Sequence, residues 1–510
     1  MGNSWKYDRA KEAIDKRIDE VKTVEIADYK REMSLQSIPT NKAYRVHAAH
    51  LYIDILNMED ILATTDKEGE RCHKRTLRFL NLHQRAVHRI LSRCDASRVD
   101  FHNQRLHSLV AKPYGGDEEK KRVCRAVAIG KLVIDVLAET GDDDEDIPNA
   151  EVRIGIDSGL TLAVNNGRNG NREPLFLGSA ANLAAKLASN WRAEGIYLTN
   201  DARKAAGLEE VEAGKEGTTP LTSEQIAHCQ DIAKLDVGKD AIVKEWRQDN
   251  KDNPIGSFEF SRPTPPLRNL DISVLTPGNS RRMEAASVYA DIDGFTKYVA
   301  ANIDEKAADV VRCFHVIRSE LDRVVSSDFG GRRIRFIGDC IHALLMEGTA
   351  YTTREEETIS TATLCAGALR SSFNLALERL KANKVDVAGL GLAIGYEFGP
   401  MTVTRLGMQG DRVRCSVSRG VLASENEQCR CKGVETAIGQ AAYDGGSEAV
   451  RKLFGKSRKK ADLDYDTAVD SLEAEGDKVA KDAAIAAYAV AAPAMAKAVE
   501  QPFRPFSDIV

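Results

Sequence analysis

The sequence of this 510-residue chain contains an internal repeat, so its two halves are expected to adopt the same fold. Three motifs of the first half return in the second half in the same order, at separations of 237, 235 and 240 residues. The matched positions are Asp54 with Asp291, Gln104 with Asp339, and Gly155 with Gly395. Because order and spacing are kept over such distances, the chain is predicted to contain two copies of one module, not a single large core.

Composition argues against several classes of protein. The net charge of −5 gives no general attraction to nucleic acid, so no nucleic-acid partner is expected. The apolar run at 483–496 is too short to span a bilayer and contains Pro493, so no stable membrane insertion is expected. Most of the ten cysteines lie in apolar runs without a metal-binding cluster, which is typical of a reduced, cytoplasmic protein.

The repeat and the distribution of proline divide the chain into five parts. Apolar residues at helical spacing predict an N-terminal helix, which together with its following turn occupies residues 1–43. The two modules are predicted over residues 44–248 and 284–445, joined by a proline-rich linker at 249–283. Residues 446–510 are predicted to form a tail of peripheral helix or partial disorder.

Two aspartates of the second module indicate its chemistry. Asp291 lies near the end of a predicted strand, and Asp339 lies in a Gly-Asp turn that ends another. If the two strands pair, both carboxylates can meet at one end of the sheet, where they suit a divalent cation that carries a polyphosphate. The first module keeps Asp54 but has Gln104 in place of the second carboxylate, so only the second module is predicted to hold metal.

These motifs resemble the landmarks of class III nucleotidyl cyclases. The segment from Tyr289 to Thr296 is similar to the strand and turn around that family's first metal aspartate, and the Gly-Asp turn at Asp339 is similar to its hairpin. Asn182, followed four residues later by Lys186, resembles the family's Asn and Arg on a helix. The resemblance implies an α+β fold of two tandem modules, each a ferredoxin-like antiparallel sheet with helices, packed as a pseudo-heterodimer.

The resemblance also implies how the second module would bind metal and phosphate. Asp291, Asp339 and the carbonyl of Ile292 are the implied ligands of two Mn²⁺ or Mg²⁺ ions. The phosphates are implied to lie at a helix N-terminus, on the amides of Gly294, Phe295 and Thr296.

The first module is implied to supply the remaining catalytic groups. Asn182 would orient the ribose, and Lys186 would neutralise charge on the α-phosphate, although without the bidentate fork of an Arg. In the second module the position of Asn182 is matched to Ser418, so the other, pseudo-symmetric site is predicted to be inactive.

The residues at the positions that read a purine differ from those of purine cyclases. Arg335 stands where adenylate cyclases carry Lys and guanylate cyclases Glu, and its usual partner position holds Leu175. Tyr289 is predicted to narrow the same pocket, which favours a smaller base. Because Arg offers only donors and uracil presents two carbonyls, uracil fits best. Two alternatives stay open: Arg335 pairs with a carboxylate at the module interface, and Tyr289 fills the core.

The combination of Ser-Val-Tyr-Ala-Asp-Ile-Asp-Gly-Phe-Thr from Ser287 with Val-Arg-Cys-Ser-Val-Ser-Arg from Val413 resembles the pyrimidine cyclases of Pycsar antiphage systems. This resemblance implies conversion of UTP to 3′,5′-cyclic UMP and diphosphate, as an infection signal that activates a separate effector protein. Production of cyclic CMP or cyclic AMP stays an alternative, and so does a non-catalytic nucleotide-binding module. The sequence leaves open whether the modules pair within a monomer or between the chains of a homodimer.

Overall fold

The described part of the chain forms two modules of sheet and helix. A computed structural model describes residues 4–35, 37–143, 146–165, 174–189 and 191–488. Its helices are α1 (Tyr7–Glu20), α2 (Met58–Leu62), α3 (Glu70–Arg93), α4 (Glu119–Leu137), α5 (Ser179–Ser189), α6 (Asn200–Ala206), α7 (Ser223–Ala233), α8 (Lys239–Asp252), α9 (Phe295–Asn302), α10 (Ala307–Arg323), α11 (Glu355–Ala382), α12 (Arg419–Cys429), α13 (Gln440–Gly445), α14 (Glu448–Phe454), α15 (Tyr465–Ala474) and α16 (Lys478–Tyr488). Its strands are β1 (Glu25–Asp28), β2 (Lys42–Ile55), β3 (Ser97–His102), β4 (Arg105–Val110), β5 (Val152–Asn165), β6 (Pro174–Leu177), β7 (Gly195–Leu198), β8 (Phe260–Ser261), β9 (Ser280–Asp293), β10 (Arg332–Ile337), β11 (Cys340–Leu345), β12 (Gly391–Leu406), β13 (Val413–Val417), β14 (Glu435–Ile438) and β15 (Lys459–Ala461).

The two sheets share one strand order. In the first sheet β3, β4, β2 and β5 lie side by side, and in the second sheet β10, β11, β9 and β12 do. Counted within each module, both orders read 2-3-1-4, with antiparallel neighbours and with helices after the first and third strands. This is the ferredoxin-like arrangement, so the predicted α+β fold with two tandem modules is confirmed.

The pairing of the strands also confirms the alignment of the two copies. Residues that face each other in the first sheet have their matches facing each other in the second. The corresponding pairs are Ile53–Leu106 with Ala290–Ile341, and Ile53–Ile154 with Ala290–Ile394. Positions in the two modules can therefore be compared residue by residue.

The comparison extends into α5 and α12. Leu177 and Val417 occupy the same place in their hairpins, so the separation of 240 residues continues into the helices that follow. Asn182 therefore corresponds to Leu422. The predicted match of Ser418 with Asn182 is wrong by four residues, about one helical turn, because the two helices share no residue that marks their register.

The N-terminal helix packs in the second module, although it precedes the first. Its apolar stripe of Ala10, Ile14 and Ile18 is buried in the core that also contains residues of β9 and α10. The helix ends at Glu20, and residues 25–28 form β1 beside β2, so the predicted N-terminal segment is helical only in part. Pairing with an existing strand outweighs helix propensity over these few residues. The chain thus passes from the second module to the first within residues 21–24.

Residues 446–488 continue the second module. β15 pairs with β14 at the edge of the sheet, and Leu472 and Ala480, on α15 and α16, are buried in the core of this module. Of the predicted peripheral helix or partial disorder, residues 446–488 thus show helices that share the core of the second module and one strand that extends its sheet. Residues 489–510 lie outside the described part of the chain.

Within the described residues, no helix is both long enough and apolar enough to cross a membrane. The ten cysteines are free thiols, and eight of them are buried, where a thiol acts as a small hydrophobic side chain.

Candidate active site

The two aspartates predicted to bind metal lie together at one end of the second sheet. Asp291 is close to the end of β9, and Asp339 lies in the turn between β10 and β11. β11 pairs with β9 so that Ile341 faces Ala290, which brings the two aspartates side by side. Burial raises the pKa of Asp339 well above its usual range, and the nearby charge of Asp291 raises it further.

Negative charge crowds this end of the sheet. Burial raises the pKa of Asp291 to about 6, and the charges of Asp293 and Glu425 add to the shift. Buried carboxylates that repel each other are stabilised by a divalent cation, so this donor set fits Mg²⁺ or Mn²⁺. Among the described residues, no group of three or more His, Cys, Asp or Glu side chains is arranged to hold a metal ion. An ion here would complete its coordination with a backbone carbonyl such as that of Ile292, with water or with substrate.

A helix begins directly after β9. Gly294 caps α9 with a φ of 80°, and a Cβ at this position would lie 2.4 Å from the carbonyl oxygen of Gly389. The first amides of a helix have no acceptor within the helix, so those at Gly294, Phe295 and Thr296 suit an anion such as phosphate. Phe295 is buried and stacks on Phe314 with ring centroids 5.8 Å apart, which fixes the position of this turn.

Gly294→Ala is expected to strain this turn. Alanine disfavours a positive φ, and its methyl group would overlap with the Gly389 carbonyl, so the unfolding free energy should fall by about 1–3 kcal/mol. Gly338→Asn is the matched control, because Gly338 has a φ of 60° with nothing within 4 Å of its Cβ position, and its match Asn103 adopts a φ of 47°. Equal losses of stability in the two variants, measured by chemical denaturation, would contradict a special role for the Gly389 contact.

Helix α5 of the first module contacts the N-terminus of α9. The side-chain amide of Asn182 donates a hydrogen bond of 2.7 Å to the hydroxyl of Thr296. Asn182 therefore lies at the first turn of α9, a few residues from Asp291. Lys186 is one turn further along α5 and is exposed. The structure thus joins a polar group of the first module to the end of the second sheet that carries both aspartates.

Arg335 is enclosed at the interface of the modules. It is 4% exposed, and its guanidinium forms an ion pair with Asp100 of the first module. It also donates hydrogen bonds to the carbonyls of Phe101, at 2.6 Å, and Arg414, at 3.0 Å. Asp100 and Arg335 occupy matching positions next to matching strand irregularities, so equivalent positions of the two modules meet in this pair. This is the interface ion pair that the sequence left open as an alternative.

Tyr289 fills the core and offers no open surface to a base. It is 1% exposed, and its ring stacks on His342 with centroids 4.3 Å apart. Its hydroxyl lies 3.4 Å from Nε2 of His102. His102 belongs to the hairpin that carries Gln104, not to the one that carries Asp339. The predicted pocket residue therefore faces the half of the interface that lacks the second carboxylate.

Sequence reasoning missed Tyr52, which matches Tyr289 in the first module. Tyr52 stacks on His107 with centroids 4.0 Å apart, as Tyr289 does on its own histidine, but it is only half-buried. Burial raises the pKa of Tyr52, and the charges of Asp100 and Asp339 raise it further, which places its hydroxyl near these two aspartates. The repeat contained the signal, because the two tyrosines are 237 residues apart.

Known proteins are similar to this chain along nearly its whole length. No protein-family model matches it. A uridylate cyclase from Pseudomonas aeruginosa is 61% identical over 509 residues, which cover 99% of this chain and 98% of that protein. A uridylate cyclase from a Rhizobium species is 39% identical over 443 residues, which cover 83% of each. The crystal structure of a class III adenylyl cyclase-like ATP-binding protein from Pseudomonas aeruginosa has a TM-score of 0.91 and 63% identity, and covers 92% of this chain and 100% of its own. At such identity and coverage, the chain belongs to the uridylate cyclase family of class III nucleotidyl cyclases.

Proposed function

We propose that the chain converts UTP to 3′,5′-cyclic UMP and diphosphate at the site formed by Asp291 and Asp339 of the second module and Asn182 of the first. The observation that carries the proposal is the 2.7 Å hydrogen bond from Asn182 to Thr296, because it joins the modules where the carboxylates and a helix N-terminus meet. The two relatives described as uridylate cyclases support UTP as the substrate.

The proposed reaction forms one bond and breaks one bond at the α-phosphorus. The ribose 3′-oxygen attacks in line, its proton passes to water, and the bond to the diphosphate leaving group breaks. Asn182 would hold the ribose in attack geometry, and the amides at the start of α9 would hold the phosphates. Lys186 lies one turn from Asn182 on the same face of α5, so it can add a single positive charge near the α-phosphate.

Asp291, Asp339 and the Ile292 carbonyl would hold two Mn²⁺ or Mg²⁺ ions. When bound, these ions supply Lewis-acid activation of the 3′-hydroxyl and compensate the charge of the leaving diphosphate. Burial raises the pKa of Asp339 and the nearby charge of Asp291 raises it further, and two carboxylates placed in this way support cation binding at this position.

Tyr52, together with Asp100 and Arg335, is the proposed wall of the base pocket. A half-buried aromatic ring near Asp339 takes up space that the second ring of a purine would need. Arg335 is 4% exposed and donates to Asp100 and to two backbone carbonyls, so its proposed part is to orient the Asp100 carboxylate, which would accept from the N3–H of uracil.

Product identity tests the proposed function. Purified protein is incubated with Mn²⁺ and UTP, CTP, GTP or ATP in separate reactions, and cyclic products are identified by mass. Cyclic UMP is the expected dominant product. Cyclic AMP as the dominant product would overturn the assignment of uracil as the base. The reaction with ATP is included because the solved relative is described as ATP-binding. Dominant cyclic CMP would likewise contradict uracil selection, and no product from any nucleotide would favour a non-catalytic binding module.

Tyr52→Ala is expected to relax base selection. Removing a bulky wall opens room for a purine, so kcat/KM for ATP relative to UTP should rise by about tenfold or more. Tyr52→Phe keeps the ring and should keep the selectivity. Unchanged ratios of kcat/KM in Tyr52→Ala, measured with both nucleotides, would remove Tyr52 from the base pocket.

We further propose that the two modules of one chain pair as a monomeric pseudo-heterodimer. The passage from α1, buried in the second module, to β1 in the first takes only residues 21–24, which supports pairing within the chain. In line with the sequence resemblance, the proposed setting is the cytoplasm, where the cyclic nucleotide would activate a separate effector in antiviral defence.

A further inference from the structure

The half of the interface opposite the candidate active site contains a fixed cation. This half, here called the degenerate half, is built around Asp54, Gln104 and Arg105 of the first module. Their matches in the second module are Asp291, Asp339 and Cys340. At the position after the lost carboxylate, a guanidinium therefore replaces a small neutral thiol.

Arg105 contacts acidic groups of both modules. It forms an ion pair with Glu425, on α12 of the second module, and its Nε lies 4.0 Å from Oδ1 of Asp54. The side chains of Asp54 and Glu425 are only 11% and 15% exposed. Burial raises the pKa of Asp54 to about 7 although the Arg105 charge opposes the shift. Two enclosed carboxylates from different modules thus share one cation of the protein itself.

The half of the interface that contains Asp291 and Asp339, here called the catalytic half, has small and uncharged residues at the corresponding positions. Arg105 matches Cys340, and Glu425 matches Ala185 on α5. Where the degenerate half has a guanidinium and a carboxylate, the equivalent positions of the catalytic half hold a thiol and a methyl group, which carry no charge that could take the place of an ion. The difference is one of charge and size at equivalent positions, since both halves keep the first aspartate and the same strand pairing.

We propose that Arg105 is a built-in substitute for the divalent cation: its guanidinium bridges the acidic groups of the two modules, so the charge of the degenerate half is balanced without metal and only the Asp291–Asp339 half takes up ions. This inference rests on the proposed function only for the identity of the ion-binding half. Unlike a bound metal ion, the guanidinium of Arg105 cannot leave the protein, and it keeps its charge at any physiological pH. It therefore holds α12 against the first module in the ion-free protein.

Mn²⁺ binding to the full chain tests whether Arg105 takes the place of a metal ion in the degenerate half. The background variant carries Asp291→Asn and Asp339→Asn, so that the catalytic half no longer contributes. Adding Gln104→Asp and Arg105→Cys introduces, at these two positions of the degenerate half, the residues of the catalytic half. We expect this variant to bind at least one Mn²⁺ per chain, measured by loss of the free-ion signal in electron paramagnetic resonance, where the background binds none. A folded variant, checked by circular dichroism, that takes up no Mn²⁺ would overturn the proposal.

Arg105→Met in the same background gives a second measurement. It leaves Asp54 and Glu425 without their shared cation, so its melting temperature in EDTA should fall below that of the background, and Mn²⁺ should restore part of the loss. Arg78→Met is the matched control, because the Arg78–Asp142 pair of 2.8 Å lies within the first module and is equally partly buried. An equal response to Mn²⁺ in the two Met variants would contradict the proposal. Neither measurement uses turnover, so a failure to form cyclic UMP would be a separate result.

Discussion

Asp291→Asn is expected to lower kcat by about a thousandfold while the fold stays intact, since several kcal/mol of charge stabilisation at the reacting phosphate correspond to about three powers of ten. Asparagine has the same shape but no charge, so the pair with Asp339 loses half of its attraction for cations. Burial, Asp293 and Glu425 all raise the pKa of Asp291. Removing its charge relieves this repulsion in the ion-free protein, so the unfolding free energy is expected to be unchanged or higher. Cyclic UMP formed at saturating UTP and Mn²⁺ gives kcat.

The first module supplies the matched control for this variant. Asp54 occupies the position equivalent to Asp291, but it lies beside Gln104, so its half of the interface lacks the second carboxylate. Asp54→Asn should therefore leave kcat close to that of the unchanged chain. If Asp54→Asn lost as much activity as Asp291→Asn, the assignment of the catalytic half to the second module would be wrong.

The features of the fold that depend on local sequence patterns were predictable, and those that depend on tertiary contacts were not. A repeated strand motif around Asp54 and Asp291 revealed two copies of one module, and strand pairing confirmed that alignment. The apolar stripe of α1 was equally visible, since it has helical period. Its docking on the second module was not, because the spacing of Ala10 and Ile14 does not say which surface covers them. The extension of the second sheet by β15 depends on tertiary pairing in the same way.

Within the candidate active site, the sequence likewise predicts the positions set by strand ends, but not the side-chain environments that depend on packing between the modules. The ends of two paired strands place Asp291 and Asp339, so local pattern sufficed for them. Tyr52 and Tyr289 have closely similar sequence surroundings, yet one is half-buried and the other enclosed. The difference arises across the interface, where His102 faces Tyr289, and no spacing within one module contains that information.

The sequence predicted an ion pair of Arg335 with an interface carboxylate only as one of two alternatives. Breaking the pair that the structure shows, Arg335 with Asp100, is expected to destabilise the protein more than any other change considered. Asp100→Leu should lower the unfolding free energy by about 3–5 kcal/mol, because Arg335 is 4% exposed and would remain charged without its carboxylate. Replacing both residues by leucine removes the buried charge altogether, so the double variant should be more stable than Asp100→Leu alone.

Urea denaturation of the single and double variants measures this difference. Asp142→Leu serves as the control, because Asp142 and its partner Arg78 are 22% and 25% exposed, and such a pair is worth about 0–1 kcal/mol. A double variant at least as unstable as Asp100→Leu would show that the pair contributes shape, not charge, to the interface. Because the two residues occupy equivalent positions and contact each other, the charge of one module there is matched by the opposite charge of the other. Two copies of the second module would place Arg335 against Arg335, so this position also favours pairing of unlike modules.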